Sequence, residues 1–131
     1  MRKDFKAWHQ KKEKIDARKD MAEVFFREKE VWWCALGVNV GFEQDGKGAE
    51  FRRPILILKK FNQFAVLAVP LTTKLKPNNK YYVACDLKDG IARAVIVSQV
   101  RLVDTKRLID KLGVLDEQSF TRTRNAVKAM L

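Results

Sequence analysis

Acidic residues are scarce in this chain and histidine is almost missing. The 131 residues hold 16 Asp and Glu against 27 Lys and Arg, with one His, two Cys and three Pro. The single histidine, His9, cannot build a metal centre alone and is weak evidence for catalysis. The two cysteines, Cys34 and Cys85, lack Cys-x-x-Cys spacing and each falls in an apolar strand pattern, so buried, reduced thiols of a cytoplasmic protein are expected. No apolar run approaches the ~18 residues of a membrane-spanning helix, and the charged start does not read as a secretory leader. There is no internal repeat and no low-complexity tract. Gly46-Lys47-Gly48 lacks the spacing of a phosphate-binding P-loop and no helix pattern follows it.

What the chain does have is positive charge and apolar strands. The formal net charge is +11 and the sequence pI about 9.9. A domain this basic most often meets a polyanion, with nucleic acid ahead of an acidic protein or an anionic membrane surface. The hydrophobic share of 47% argues for a globular core rather than disorder. A domain near this size buries roughly two thirds of its unfolded-chain surface.

Residues 1–22 read as a helical extension. Asp4 is a candidate cap, and Phe5, Trp8 and Ile15 share one face. Residues 23–131 read as one barrel domain. Within it, Val31–Leu36 is almost wholly apolar and β-rich, which predicts a strand covered on both faces. A long polar lid is expected over Gly37–Glu50. Further strands are expected at Ile55–Leu58, Phe64–Val69, Tyr81–Cys85, Ile91–Val97 and Ser98–Asp104, with a tight turn at Lys88-Asp89-Gly90. Lys106–Leu112 is expected to form a short helical turn closed by Gly113. A last helix is expected over Asp116–Leu131, with Phe120, Val127 and Leu131 facing inward. Five or six short strands with one C-terminal helix describe a mainly β (α+β) fold, a small and strongly bent β-barrel.

Polar groups stand at the ends of these apolar strands. Arg53 opens one and Thr72 closes another. Taken alone, Arg53 reads as a strand-end ion-pair partner, with Glu50 as the candidate carboxylate, and Thr72 as a turn cap.

The run Val31-Trp32-Trp33, Gly37, Gly41-Phe42-Glu43-Gln44, Arg53-Pro54, Val69-Pro70-Leu71-Thr72-Thr73, Ser98-Gln99-Val100-Arg101, Asp104 and Arg107-Leu108 resembles the MazF/PemK family over about residues 27–131. The resemblance implies a compact SH3-like barrel of the MazF/CcdB type with a C-terminal helix, here with an extra N-terminal helix. It implies a homodimeric toxin of a toxin–antitoxin pair. Such a toxin is a sequence-specific endoribonuclease that cuts single-stranded RNA without metal or other cofactor and is neutralised by a cognate antitoxin. By position, the family's catalytic arginine falls on Arg53, its catalytic threonine on Thr72 and its loop glutamate on Glu43. RNA phosphates would meet Lys47, Lys74 and Arg101, with Lys59, Lys60 and Lys76 as further candidates. Gln44, Thr73 and Gln99 would read base edges. Three features depart from the family pattern: Phe42 in place of a small residue, Ser98 before the glutamine, and the N-terminal extension. The competing readings are a non-catalytic, gyrase-binding toxin like the CcdB relatives, and an RNA-binding barrel without catalysis.

Overall fold

The protein, seen in a computed structural model, is described over residues 25–36 and 52–131. The expected N-terminal helix, His9, and the lid with Glu43, Gln44 and Lys47 lie outside the described residues. The elements run β1 (Glu30–Ala35), β2 (Arg52–Lys60), β3 (Ala65–Thr72), β4 (Tyr82–Asp86), β5 (Ala92–Ile96), β6 (Arg101–Asp104), β7 (Leu108–Val114) and α1 (Glu117–Met130). Short 3-10 turns at Val97–Gln99 and Thr105–Arg107 flank β6.

Seven strands form an antiparallel sheet in the order β4-β5-β3-β2-β1-β7, with β6 also paired to β3. β3 is therefore shared. β6 pairs along Ala65–Ala68 and β5 along Leu71–Thr72.

The central strands are apolar on both sides because both sides are covered. Val31, Leu56, Val69, Leu71, Val95 and Val97 point to one core, which α1 seals with Phe120 and Val127. The alternate residues Trp32, Cys34, Ile55, Ile57, Val66 and Ala68 point to a second core, closed by Phe26, Val103 and Leu108. This is the period-two rule applied twice, and it accounts for the unbroken run Ile55-Leu56-Ile57-Leu58.

Local chemistry fixes the corners. Asp116 caps α1, its carboxylate accepting from Ser119 N at 3.1 Å. The β4–β5 hairpin turns through Lys88 (φ 63°) and Gly90 (φ 80°), and glycine carries that left-handed backbone without steric cost. Glu30 pins the start of β1. Its Oε1 accepts from Arg27 N (2.7 Å) and Trp32 Nε1 (3.1 Å), and its Oε2 pairs with Lys111 Nζ (2.8 Å).

Three expectations are corrected. Lys106–Leu112 is not a helical turn. The 3-10 turn ends at Arg107, and Leu108–Val114 is a seventh strand on the free edge of β1. Gly113 is no helix cap: it pairs with Val31 inside that strand. Leu131 does not face the core but ends the chain 95% exposed, while Phe120 and Val127 are buried as expected.

Candidate nucleic-acid site at the strand ends

β1 and β2 pair from Val31 and Leu56 to Ala35 and Arg52, placing Arg53 beside Cys34. β2 and β3 pair Ile55 with Pro70. Continued by two residues, that register sets Arg53 opposite Thr72, on one face of the sheet. The Arg53 guanidinium leans along β3, and its Nη1 donates to Leu71 O at 3.2 Å. The Thr72 hydroxyl oxygen accepts from Lys74 N at 3.1 Å. A hydroxyl has one proton to give, so accepting through oxygen leaves that proton to donate elsewhere.

Both side chains line one cleft of about 410 Å³, together with Trp33, Arg52, Pro54, Leu71, Thr73, Ile91 and Arg93. Arg53, Thr72 and Arg93 are all buried, so these polar groups are held by packing rather than spread over the surface. At the mouth, the Arg52 guanidinium lies 4.6 Å from the Trp33 ring centroid. Three guanidinium groups and one hydroxyl pair thus converge on a partly apolar cleft. None of the described lining residues is a carboxylate or an imidazole. Among the described residues, no group of three or more His, Cys, Asp and Glu comes together.

The structure brings together Arg53, Thr72 and Thr73 of the residues singled out from sequence. The other candidates that fall among the described residues do not line this cleft. Lys74 follows Thr73 but is absent from the lining. Gln99 sits on the turn after β5, and Arg101 pairs with Ala68, four residues before Thr72 and about 13 Å along the strand. Lys59 and Lys60 end β2 at its far end, near the rings of Phe61 and Phe26. Lys76 lies 5.2 Å from the Tyr82 ring centroid.

A second cationic group gathers near Arg101. Arg107 Nη1 donates to Ala35 O at 3.4 Å, and burial pulls the Arg107 pKa below its usual value. The neighbouring Cys34 thiol is pushed up to about 12 by burial, and Cys85 to about 11. Neither sulfur is an available nucleophile, and both are free thiols.

Arg52 and Arg93 carry no site signal in the sequence, and Trp33 stands in the family run without a site role. Trp33 reads as one more apolar strand residue. Arg93 reads as the polar side of an edge strand. Only the folding of β5 onto the end of β3 turns it toward Thr72 and Thr73.

Among the described residues, a seven-stranded antiparallel sheet with one C-terminal helix and an arginine-lined cleft at its strand ends defines a small β class. The family model of the PemK-like, MazF-like toxins of type II toxin–antitoxin systems matches residues 27–131, and the chain belongs to that family. A comparison with curated protein sequences finds no match. Among solved structures, a MazF from Deinococcus radiodurans is similar with a TM-score of 0.70 and 20% identity, covering 82% of this chain and 96% of that one. An endoribonuclease in complex with its cognate antitoxin, from a mycobacterial species, gives a TM-score of 0.60 at 19% identity over 80% of this chain and 93% of that one. A MazF toxin of Mycobacterium tuberculosis gives 0.58 at 17% identity, over 76% and 93%. No described helix is long and apolar enough to cross a membrane.

Proposed function

We propose that this protein is the toxin of a toxin–antitoxin pair: a metal-independent, sequence-specific endoribonuclease acting on single-stranded RNA in the cytoplasm, as a homodimer that a cognate antitoxin neutralises. The observation that carries the reading is the shared cleft of Arg53 and Thr72. Family membership supplies the toxin role, and the antitoxin-bound mycobacterial endoribonuclease supports the partner.

RNA brings its own nucleophile. The 2′-hydroxyl oxygen attacks the adjacent phosphorus in line, the P–O5′ bond breaks, and the products are a 2′,3′-cyclic phosphate and a 5′-hydroxyl. One proton leaves the 2′-oxygen and one reaches the O5′ leaving group. Arg53 holds charge on the non-bridging oxygens through paired donors. Thr72 donates its free proton to the same phosphate, its oxygen already fixed by Lys74 N. Arginine keeps its proton in proteins, so the cleft wall as described offers no base. Glu43 is the carboxylate assigned to that role, acting from the lid. Thr73, Gln44 and Gln99 read bases, while Lys47, Lys74 and Arg101 meet phosphates as the strand runs out of the cleft.

The test is incubation of purified full-length protein with single-stranded RNA in excess chelator. Discrete cuts with cyclic-phosphate ends are expected. A single 2′-deoxy substitution at the cut site abolishes that cut. Cleavage that survives the substitution, or a protein that stops gyrase supercoiling and leaves RNA whole, overturns the reading.

A further inference from the structure

The cleft has a second wall. Arg53 and Thr72 share one face of the sheet, whereas the β3–β5 register pairs Thr72 with Ala94 and so carries Thr73 toward Arg93 on the other. Arg93 is 5% exposed and reaches the cleft from β5. Its Nη1 is bound by Asp89 Oδ2 at 2.7 Å. The other Asp89 oxygen, Oδ1, accepts from Ile91 N at 3.2 Å. Asp89 therefore spends both oxygens on holding the hairpin and one edge of the guanidinium. The Arg93 hydrogen bond in turn keeps the Asp89 carboxyl below its usual range.

A guanidinium has five donors, and this contact engages one end of the fork. Arg93 lines the cleft, and its contact with Asp89 is made through Nη1. The hairpin thus sets the position of a cation in the cleft wall. A planar fork of this kind matches the paired oxygens of a phosphodiester.

We propose that Arg93 is a second phosphate-binding residue, gripping the RNA phosphate next to the one that is cut, with Asp89 as its positioning residue. The assignment rests on RNA being the ligand of this cleft. It gives the cleft two grips on one strand, Arg53 at the reacting phosphate and Arg93 at its neighbour.

The experiment measures binding of the full-length protein to a fluorescently labelled, mixed-sequence RNA bearing 2′-O-methyl riboses throughout, which cannot be cleaved, over a salt series. Arg93→Ala is expected to weaken binding by about tenfold or more, the scale of losing one charged hydrogen-bonding contact. It is also expected to make the log affinity–log salt slope shallower by about 0.7, the share of one phosphate contact on a single strand. Arg93→Gln, close in size and uncharged, carries the same expectation should the alanine variant melt early. Arg93→Lys keeps the slope, and Asp89→Asn keeps the slope but weakens binding. On cleavable RNA, Arg93→Gln raises KM with kcat held within a few-fold, opposite to the effect expected for Arg53. Wild-type affinity and slope in Arg93→Gln, with the wild-type protein cutting RNA, overturn this assignment alone. A wild-type protein that neither binds nor cuts RNA overturns the proposed function as well.

Discussion

The Arg53 guanidinium reaches Leu71 O at 3.2 Å, so a side chain near the start of β2 is tied to the residue just before Thr72 at the close of β3. The contact fixes a long, rotamer-rich side chain beside the hydroxyl it is proposed to work with. Preorganised donors aimed at developing charge are worth more than mobile ones.

Removing that donor tests its part in the chemistry. Arg53→Ala is expected to lower kcat on single-stranded RNA by about a hundred- to a thousandfold, the range for losing one preorganised donor. Arg53→Lys should recover a minor part, because an ammonium keeps charge but not the paired fork. A gel time course under single-turnover conditions, with a thermal melt to check folding, reads both. An alanine variant with wild-type rates would relocate the site.

Thr72 separates a hydroxyl from a methyl. Thr72→Val preserves shape but loses both the acceptor for Lys74 N and the outward proton. Thr72→Ser retains both. The expected order of cleavage rates is wild type, then serine within a few-fold, then valine about tenfold or more below, on the scale of one lost hydrogen bond at a charged group. Equal rates for serine and valine would leave the hydroxyl without a role.

Glu30 links sequence, fold and pH. Burial alone would raise its pKa, but the hydrogen bonds from Lys111, Trp32 and Arg27 N outweigh burial and bring it below the ordinary value of 4.5. A carboxylate with a depressed folded pKa stabilises the protein fully above its unfolded value, and that contribution is lost as pH falls through the folded one. Denaturant melts should therefore hold their midpoint down to roughly pH 5 and fall below it, with Glu30 one of the groups responsible. Glu30→Gln should lower stability at neutral pH by about 1–3 kcal/mol, since the Trp32 and Arg27 donors lose a charged acceptor. It should also flatten the acid limb. An unchanged acid limb would assign the loss to other carboxylates.

The thiols report on the two cores. With Cys34 fully buried and pushed up to about 12, and Cys85 at about 11, neither should react with a thiol-directed disulfide reagent at neutral pH in the native protein. Both should react at once in denaturant. The slightly exposed Cys85 should lead under partial unfolding. Fast native labelling of Cys34 would mean that the second core opens more readily than its packing suggests.

Much of this architecture is readable from the chain because the local signals agree. Val31–Leu36 announces a doubly covered strand through β-branched and aromatic residues. Lys88-Asp89-Gly90 announces its turn, and Asp116 its helix. The misreadings share a cause. Leu108-Ile109-Asp110-Lys111-Leu112-Gly113-Val114 has neither clean alternation nor a helical period, and its pairing with β1 shifts register twice. What makes it a strand is the bare edge of β1, a partner far away in sequence. Arg93 escaped notice for a similar reason. Nothing near it in the chain says that β5 will fold onto the tip of β3. Taken alone, Arg53 and Thr72 read as an ion-pair partner and a turn cap; the family resemblance is what singles them out, and their face-to-face register becomes visible only with the strands paired.

The last strand lies beside the first. β7 closes the open flank of β1, and α1 then covers the core beneath it. A nascent chain halted before residue 108 would therefore expose the raw edge of the very strand that braces Arg53. Such a fragment is a candidate for self-association rather than a weaker version of the protein.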